Sequence, residues 1–145
     1  MAIPTVVPPD ILNAKILIVD NQESNVMLLQ RMLGNEGYTC IAISMEPREV
    51  CELHRNNRYD LILLDLRMPG MDGFEVMKGL KEIELENELP VLVVTAQPDQ
   101  KERAMQAGAK DFVDKPFNRV EVLTRVRNLL EIRLLRDALR KTIVK

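Results

Sequence analysis

Polar side chains stand at the ends of short apolar runs in this chain of 145 residues. The run KILIV is followed by Asp20 and Asn21, LILL by Asp65 and VLVV by Thr95, and Lys115 comes directly after the short segment DFVD. Carboxylate and amide oxygens suit a hard cation such as Mg²⁺, which keeps several waters in such sites. A hydroxyl and an ammonium suit phosphoryl oxygens, and an aspartate beside bound Mg²⁺ can accept a phosphoryl group as an acyl phosphate. If the fold brings these groups together, they predict phosphoryl-transfer chemistry.

Five segments are predicted to form the strands that position these residues. They are Lys15–Asp20, Thr39–Ile43, Tyr59–Asp65, Pro90–Thr95 and Asp111–Asp114. Runs as short and as apolar as the first, third and fourth are typical of strands buried on both faces of a parallel sheet.

Helical patterns follow each predicted strand. The predicted helices are Asn25–Glu36, Pro47–Asn56, Phe74–Leu85, Pro98–Ala107 and a last helix from Arg119 onward. Five strand–helix repeats predict an α/β fold with a doubly wound, flavodoxin-like, five-stranded parallel sheet and an extended C-terminal helix. In such folds ligands bind beyond the carboxyl ends of the strands, which is where the polar residues stand.

The composition excludes several other classes of protein. The chain has 20 basic and 22 acidic residues, and aromatic residues make up only 3%, so neither a nucleic-acid coat nor a base-stacking surface is predicted. Cys40 and Cys51 form no metal-binding or disulfide pattern and fit a reducing cytoplasm. No apolar run reaches the roughly 18 residues of a membrane span, and residues 1–9 do not resemble a secretory signal. We therefore expect a cytoplasmic protein that contacts neither membrane nor nucleic acid directly.

Four motifs resemble the receiver domain of two-component response regulators. They are ILIVDN at 16–21, LILLDLRMPGMDG at 61–73, VLVVTA at 91–96 and AGAKDFVDKPF at 107–117. They follow the family's order and spacing from about Lys15 to Leu130, and together they are highly specific. The resemblance implies a receiver that is not itself an enzyme and takes its phosphoryl group from a phosphohistidine on a sensor histidine kinase or phosphotransfer protein.

The resemblance also implies which residues form the acceptor site. Asp65 is the expected phosphoacceptor. The expected Mg²⁺ ligands are Asp20, Asn21, Asp65 and the backbone carbonyl of Arg67. Asn21 departs from the family, which usually has a second aspartate at this position.

Further roles are implied on the neighbouring strands. Thr95 is expected to hydrogen-bond the phosphoryl group and to move toward it. Lys115 is expected to pair with a phosphoryl oxygen, and the Lys115–Pro116 bond is expected to be cis. Phe112 stands at the aromatic switch position, although an aromatic residue on a strand is more often simply part of the core.

Other interpretations of the same residues remain open. Either aspartate could instead cap a following helix, because Asp is a favoured N-cap residue. A phosphatase of the haloacid dehalogenase type is not among them, because it needs a second acid two residues after its nucleophile, where this chain has Arg67 and Gln22. A degenerate receiver, which would act as a phosphorylation-independent interaction or dimerisation module, is kept open by Asn21. His54 is expected to be exposed and to take no part in the chemistry.

Three segments are predicted along the chain: an extended lead-in at 1–13, the receiver domain at 14–130 and a helical extension or linker at 131–145. In the last segment Ile132, Leu135, Leu139 and Ile143 form an apolar stripe at helical spacing. The stripe predicts a parallel coiled-coil homodimer or packing on an output domain. The identity of the output is not predicted.

Overall fold

Strands and helices alternate along the chain in the computed structural model, which describes residues 8–68, 70–84 and 89–143. The strands are β1 Lys15–Val19, β2 Cys40–Ser44, β3 Leu61–Leu64, β4 Val91–Thr95 and β5 Asp111–Asp114. The helices are α1 Pro8–Leu12, α2 Glu23–Glu36, α3 Val50–Asn57, α4 Gly73–Ile83, α5 Lys101–Gln106 and α6 Arg119–Ile143. Short 3₁₀ turns at Pro47–Glu49 and Pro98–Gln100 precede α3 and α5.

The five strands form one parallel sheet in the order β2-β1-β3-β4-β5. This order reverses direction after β2, as in a doubly wound fold, and confirms the predicted fold class. Val19 pairs with Leu64, so β1 and β3 end side by side. Thr95 pairs with Asp114 at the corresponding ends of β4 and β5. All the polar strand-end residues therefore belong to one edge of the sheet.

Alternating strand residues enter two separate hydrophobic cores, one on each face of the sheet. Ile16, Ile18 and Leu63 pack against α1, α2 and α6, whereas Leu17 and Leu64 pack against α3, α4 and α5. Each fully buried aliphatic side chain contributes about 1.5–3 kcal/mol relative to an exposed one. Because both faces are covered, the central strands β1, β3 and β4 are nearly continuous apolar runs, and this is why their positions could be predicted from the sequence.

The N-terminal segment differs from the predicted extended lead-in. Residues Pro8–Leu12 form α1, whereas residues 1–7 lie outside the described part of the chain. Ile11 is 1% exposed and belongs to the same core as α6, and the Leu12 carbonyl accepts from Thr39 N at 3.2 Å. The prediction was wrong because prolines in a first helical turn favour a helix start as readily as an extended segment.

The last helix is continuous across the predicted domain limit at Leu130. Leu134 packs against the core on the α1, α2 and α6 face, and Arg133 Nε lies 3.8 Å from Asp60 Oδ1. The first turn after Leu130 is therefore attached to the body of the domain rather than free. Across the described residues, no helix combines the length and apolarity needed to span a membrane.

His54 is buried, with none of its surface exposed, and the expectation that it is exposed was wrong. Its Nδ1 accepts from the backbone N–H of Tyr59 at 3.1 Å, and its Nε2 lies 2.6 Å from Glu84 Oε1. With Nδ1 acting as acceptor, the Nε2 proton is the one donated to Glu84. The imidazole thus joins the end of α3 to the end of α4, far from the polar edge of the sheet.

Candidate functional site

The strand register brings the predicted site residues together. Asp65 N donates to the carbonyl of Val19 at 3.0 Å, which places Asp65 beside Asp20. Lys115 N donates to the carbonyl of Thr95 at 2.9 Å, and the Lys115–Pro116 bond is cis as expected. Two adjacent pairs of strand ends therefore supply the two carboxylates on one side and the hydroxyl and ammonium on the other.

Lys115 contacts both carboxylates. Its Nζ lies 2.7 Å from Asp20 Oδ2 and 3.5 Å from Asp65 Oδ2. Asp20 and Asp65 are 2% and 6% exposed, so the ammonium balances charges that water hardly reaches. Two buried carboxylates held this close require a cation, and in this structure Lys115 provides it.

Neither aspartate caps a helix, so that alternative is wrong. The N-cap of α2 is Gln22, and the N-cap of α4 is Asp72, whose side chain accepts from Glu75 N at 3.0 Å. The site carboxylates instead accept from the backbone two residues onward, Asp20 Oδ1 from Gln22 N at 2.9 Å and Asp65 Oδ1 from Arg67 N at 3.3 Å. These contacts fix each carboxylate at its strand end.

Burial raises the pKa of Asp65 above its usual value. The Lys115 ammonium lowers this pKa, the Asp20 carboxylate raises it, and the backbone N–H of Arg67 lowers it again. The Thr95 hydroxyl also lowers this pKa and has the smallest effect of the four. A carboxylate with a raised pKa is a stronger base and a better nucleophile once it is ionised.

A pocket of about 540 Å³ opens over these groups. Its lining residues are Asn21, Gln22, Asp65, Arg67, Met68, Thr95, Ala96, Gln97 and Lys115. Thr95 Oγ1 is fully buried yet has no hydrogen-bond partner in the described structure. Since an unsatisfied buried hydroxyl is costly, its position beside the pocket fits an oxygen-rich ligand such as a phosphoryl group.

The oxygen atoms at this pocket are of the kind that bind Mg²⁺. Asp65 and the Asn21 amide line the pocket, and Asp20 lies beside them, in contact with the same Lys115 Nζ as Asp65. Together these side chains supply the hard oxygen donors that Mg²⁺ prefers, and the pocket leaves room for its waters. No group of three His, Cys, Asp or Glu side chains suited to a metal occurs in residues 8–68, 70–84 and 89–143. The donor set therefore fits Mg²⁺, with one negative charge fewer than a site of three carboxylates.

Arg67 and Gln97 join the two loops that flank the pocket. With its amide oxygen turned toward the guanidinium, Gln97 accepts from Arg67 Nη2 at 3.0 Å and from Nε at 3.2 Å. Two parallel hydrogen bonds of this kind restrict both side chains. The loop after β3 is thereby connected to the loop after β4 at the mouth of the pocket.

Phe112 lies away from the pocket lining. Its ring is 5% exposed and belongs to the core on the α3, α4 and α5 face. Its predicted part in a switch with Thr95 stays a prediction.

Two pocket residues, Gln22 and Met68, were given no role from the sequence. The sequence offered one indication that they line the pocket: Gln22 comes two residues after Asp20, and Met68 comes three residues after Asp65.

The comparisons with known proteins agree with this geometry. The family described as the response regulator receiver domain matches residues 16–127. The response regulator PleD of Caulobacter vibrioides is 37% identical over 132 residues, which are 90% of this chain and 29% of that protein. The Bacillus subtilis regulatory protein PhoP, named for alkaline phosphatase synthesis, is 38% identical over 121 residues, 82% of this chain and 49% of that protein. The chain thus spans half or less of these curated relatives.

Solved structures show the same fold. A response regulator from Chloroflexus aurantiacus aligns with a TM-score of 0.76 at 31% identity, covering 81% of this chain and 98% of that one. The receiver domain of the sensor histidine kinase PA1611 from Pseudomonas aeruginosa aligns at 0.74 and 27% identity, again covering 81% and 98%. That domain is described with a magnesium ion coordinated in its active-site cleft.

Proposed function

This chain belongs to the response regulator receiver domain family, and we propose that Asp65 is the residue at which it accepts a phosphoryl group. The single observation that carries the assignment is the convergence of Lys115 on two buried carboxylates beside the unpartnered hydroxyl of Thr95. Of the two carboxylates, Asp65 rather than Asp20 lines the open pocket. It is therefore the one that a phosphodonor can reach.

The transfer we propose moves a phosphoryl group from a histidine nitrogen to a carboxylate oxygen. An Asp65 oxygen forms the new bond to phosphorus, the nitrogen–phosphorus bond of the phosphohistidine breaks, and the imidazole takes up a proton. Lys115 pairs with a phosphoryl oxygen, and Thr95 donates its hydroxyl proton to another. Such transfer depends on positioning and charge neutralisation, which these side chains supply.

Asp20, Asn21, Asp65 and the Arg67 carbonyl are the residues that we propose hold Mg²⁺. When bound, the cation neutralises charge on the oxygens of the transferring phosphoryl group. Asp20 and Asp65 are already fixed by their backbone contacts, so binding requires little rearrangement of either carboxylate. Asn21 contributes a carbonyl oxygen without charge.

Treatment with acetyl phosphate and Mg²⁺ tests the assignment. We expect one added phosphoryl group by intact mass, and borohydride trapping followed by peptide mapping should locate it at Asp65. Asp65→Asn should abolish the label, whereas Asp99→Asn, a substitution at an exposed aspartate of the 3₁₀ turn before α5, should leave it unchanged. A label on Asp20, or on any residue while Asp65 stays unmodified, would contradict the proposal.

The alternative, a receiver that never takes phosphate, rests on one observation. The described site holds two carboxylates and an amide rather than three carboxylates. If the wild-type chain neither binds Mg²⁺ at millimolar concentration nor gains mass, the interaction-module function replaces phosphoryl acceptance.

The wider setting of the proposal is a cytoplasmic signalling chain. The donor is a phosphohistidine on a sensor histidine kinase or a phosphotransfer protein, and the chain itself has no enzymatic turnover. Phosphorylation changes the interaction surface of the chain, and this change controls the output. The chain itself contacts neither membrane nor nucleic acid directly. A homodimer formed through α6 is part of this proposal.

A further inference from the structure

The last part of α6 presents an apolar face that the receiver body does not cover. Ile132 is 53% exposed and Leu139 is 45% exposed, while Leu135 between them is half-buried. Leu135 and Leu139 lie about 140° and 180° around the helix from Leu130, which is fully buried. The exposed face is therefore directly opposite the face that packs on the body.

The buried side of the same segment is held firmly in place. Leu134 packs against the core, Arg133 pairs with Asp60, and α1 packs on α6. The apolar face cannot turn inward without breaking these contacts. A second molecule that binds it would meet a helix of fixed direction.

The charged residues on either side of the apolar face are complementary to those of a second copy of the chain. In the seven-residue repeat of a coiled coil, lettered a to g, Ile132 and Leu139 take position a and Leu135 takes position d. Glu131 then takes position g, and Arg136 takes the position e that follows it. In a parallel two-stranded coiled coil, g of one helix meets the next e of the other. Glu131 therefore faces Arg136 of a second copy, and the pair occurs twice by symmetry.

A groove of about 180 Å³ beside the same face strengthens this complementarity. It is lined by Pro90, Lys110, Leu129, Ile132, Arg133 and Arg136. Neither Lys110 nor Arg136 forms an ion pair with any residue of the described chain. The Glu131 carboxylate of a second copy would thus approach two cations that form no ion pair within residues 8–68, 70–84 and 89–143.

We infer that the α6 face formed by Ile132, Leu135 and Leu139 binds the same face of a second copy in parallel, with Glu131 paired to Arg136 across the interface. The inference deepens the homodimer of the proposed function and does not depend on phosphorylation. The side chain of Ile143, which was predicted to extend the stripe, lies outside the described side chains.

Sedimentation velocity of the unphosphorylated full chain over a range of concentrations tests the interface. We expect a concentration-dependent dimer, which Leu139→Glu weakens by at least roughly a hundredfold because a charge enters the apolar seam. Glu131→Arg or Arg136→Glu alone should weaken it roughly tenfold, since two attractive pairs become repulsive. The double variant E131R/R136E should restore the wild-type constant, and the exposed Lys101→Glu on α5 is the matched control.

Three outcomes would overturn the inference. They are a wild-type chain that stays monomeric, a dimer indifferent to Leu139→Glu, and a charge-reversed double variant no better than its single variants. Acetyl phosphate uptake measured on the same samples separates this result from the proposed acceptor function. A monomeric wild-type chain with normal labelling of Asp65 refutes only the interface, whereas a wild-type dimer that takes no label refutes only the acceptor assignment.

Discussion

Lys115 and Asp20 form a buried ion pair, with Nζ 2.7 Å from Oδ2, and this pair is shorter than the 3.5 Å contact of the same ammonium with Asp65. The lysine is thus held mainly by the carboxylate that does not line the pocket. In this position it neutralises the site, and Asp65 Oδ2 is the less tightly held of the two oxygens. A cation that binds Asp20 would compete with the ammonium and free it for a phosphoryl oxygen.

Replacing the ammonium should reveal its role in balancing the two carboxylates. We expect Lys115→Met to lower the free energy of unfolding in EDTA by about 2–3 kcal/mol, because two buried carboxylates then lack a cation. Millimolar Mg²⁺ should recover part of this loss by supplying positive charge. Urea unfolding with and without Mg²⁺ measures both effects, with the exposed Lys101→Met as control. If Mg²⁺ recovers none of the unfolding free energy that Lys115→Met loses, the metal does not replace the charge that Lys115 supplies to the two carboxylates.

The raised pKa of Asp65 predicts that its own charge destabilises the fold. When a carboxyl has a higher pKa folded than unfolded, stability falls as pH rises from the unfolded to the folded value, and the loss persists above it. Asp65→Asn should therefore raise the melting temperature in EDTA at neutral pH, by roughly 2–4 °C for each 1 kcal/mol gained. The advantage should shrink as pH falls through the raised pKa and vanish below the usual carboxyl range. Thermal melts across pH measure it, and an advantage that grows toward acid would contradict the sign.

The site could be predicted from the sequence because it depends on strand ends. Asp20, Asp65 and Thr95 each stand at the end of a buried apolar run and Lys115 follows the short strand β5, and in a parallel sheet such ends meet at one edge. The environment of His54 could not be predicted, because its burial depends on Glu84 thirty residues away. The helix at Pro8–Leu12 was missed for a similar reason, since Ile11 is ordered by a core that later segments build.

Gly73 is expected to be required for the position of Asp65. A Cβ at Gly73 would lie 2.7 Å from Leu66 Cα and 2.8 Å from the carbonyl oxygen of Asp65, both backbone atoms. We expect Gly73→Ala to cost about 1–3 kcal/mol of unfolding free energy and to slow labelling of Asp65. Gly34→Ala in α2 is the matched control, because nothing lies within 4 Å of its Cβ position and a helical Ala is favoured. Chemical unfolding of both variants checks this, and equal stabilities would show that the loop adjusts freely.

Asn21 is the residue at which this site differs most from the pattern implied by its family. It lines the pocket beside Asp65, and it supplies an amide oxygen where a carboxylate would add a negative charge. Attraction to Mg²⁺ grows with ligand charge, whereas a third carboxylate would also hinder ionisation of Asp65, whose pKa Asp20 already raises. Because the proposed transfer uses Mg²⁺, we expect the first effect to govern function.

Asn21→Asp should therefore tighten Mg²⁺ binding and speed phosphorylation at limiting Mg²⁺, with little change at saturation. Charge-assisted ligation by one added carboxylate is expected to improve the affinity by roughly tenfold, the equivalent of about 1.4 kcal/mol. Calorimetric titration of Mg²⁺ into both chains, followed by acetyl phosphate labelling over a series of Mg²⁺ concentrations, measures the two effects separately. Asn25→Asp, on the first turn of α2 outside the pocket lining, controls for a general increase in negative charge. Unchanged or weaker Mg²⁺ binding in Asn21→Asp would show that Asn21 does not contact the metal and that Asp20 and Asp65 hold it without help from this side chain.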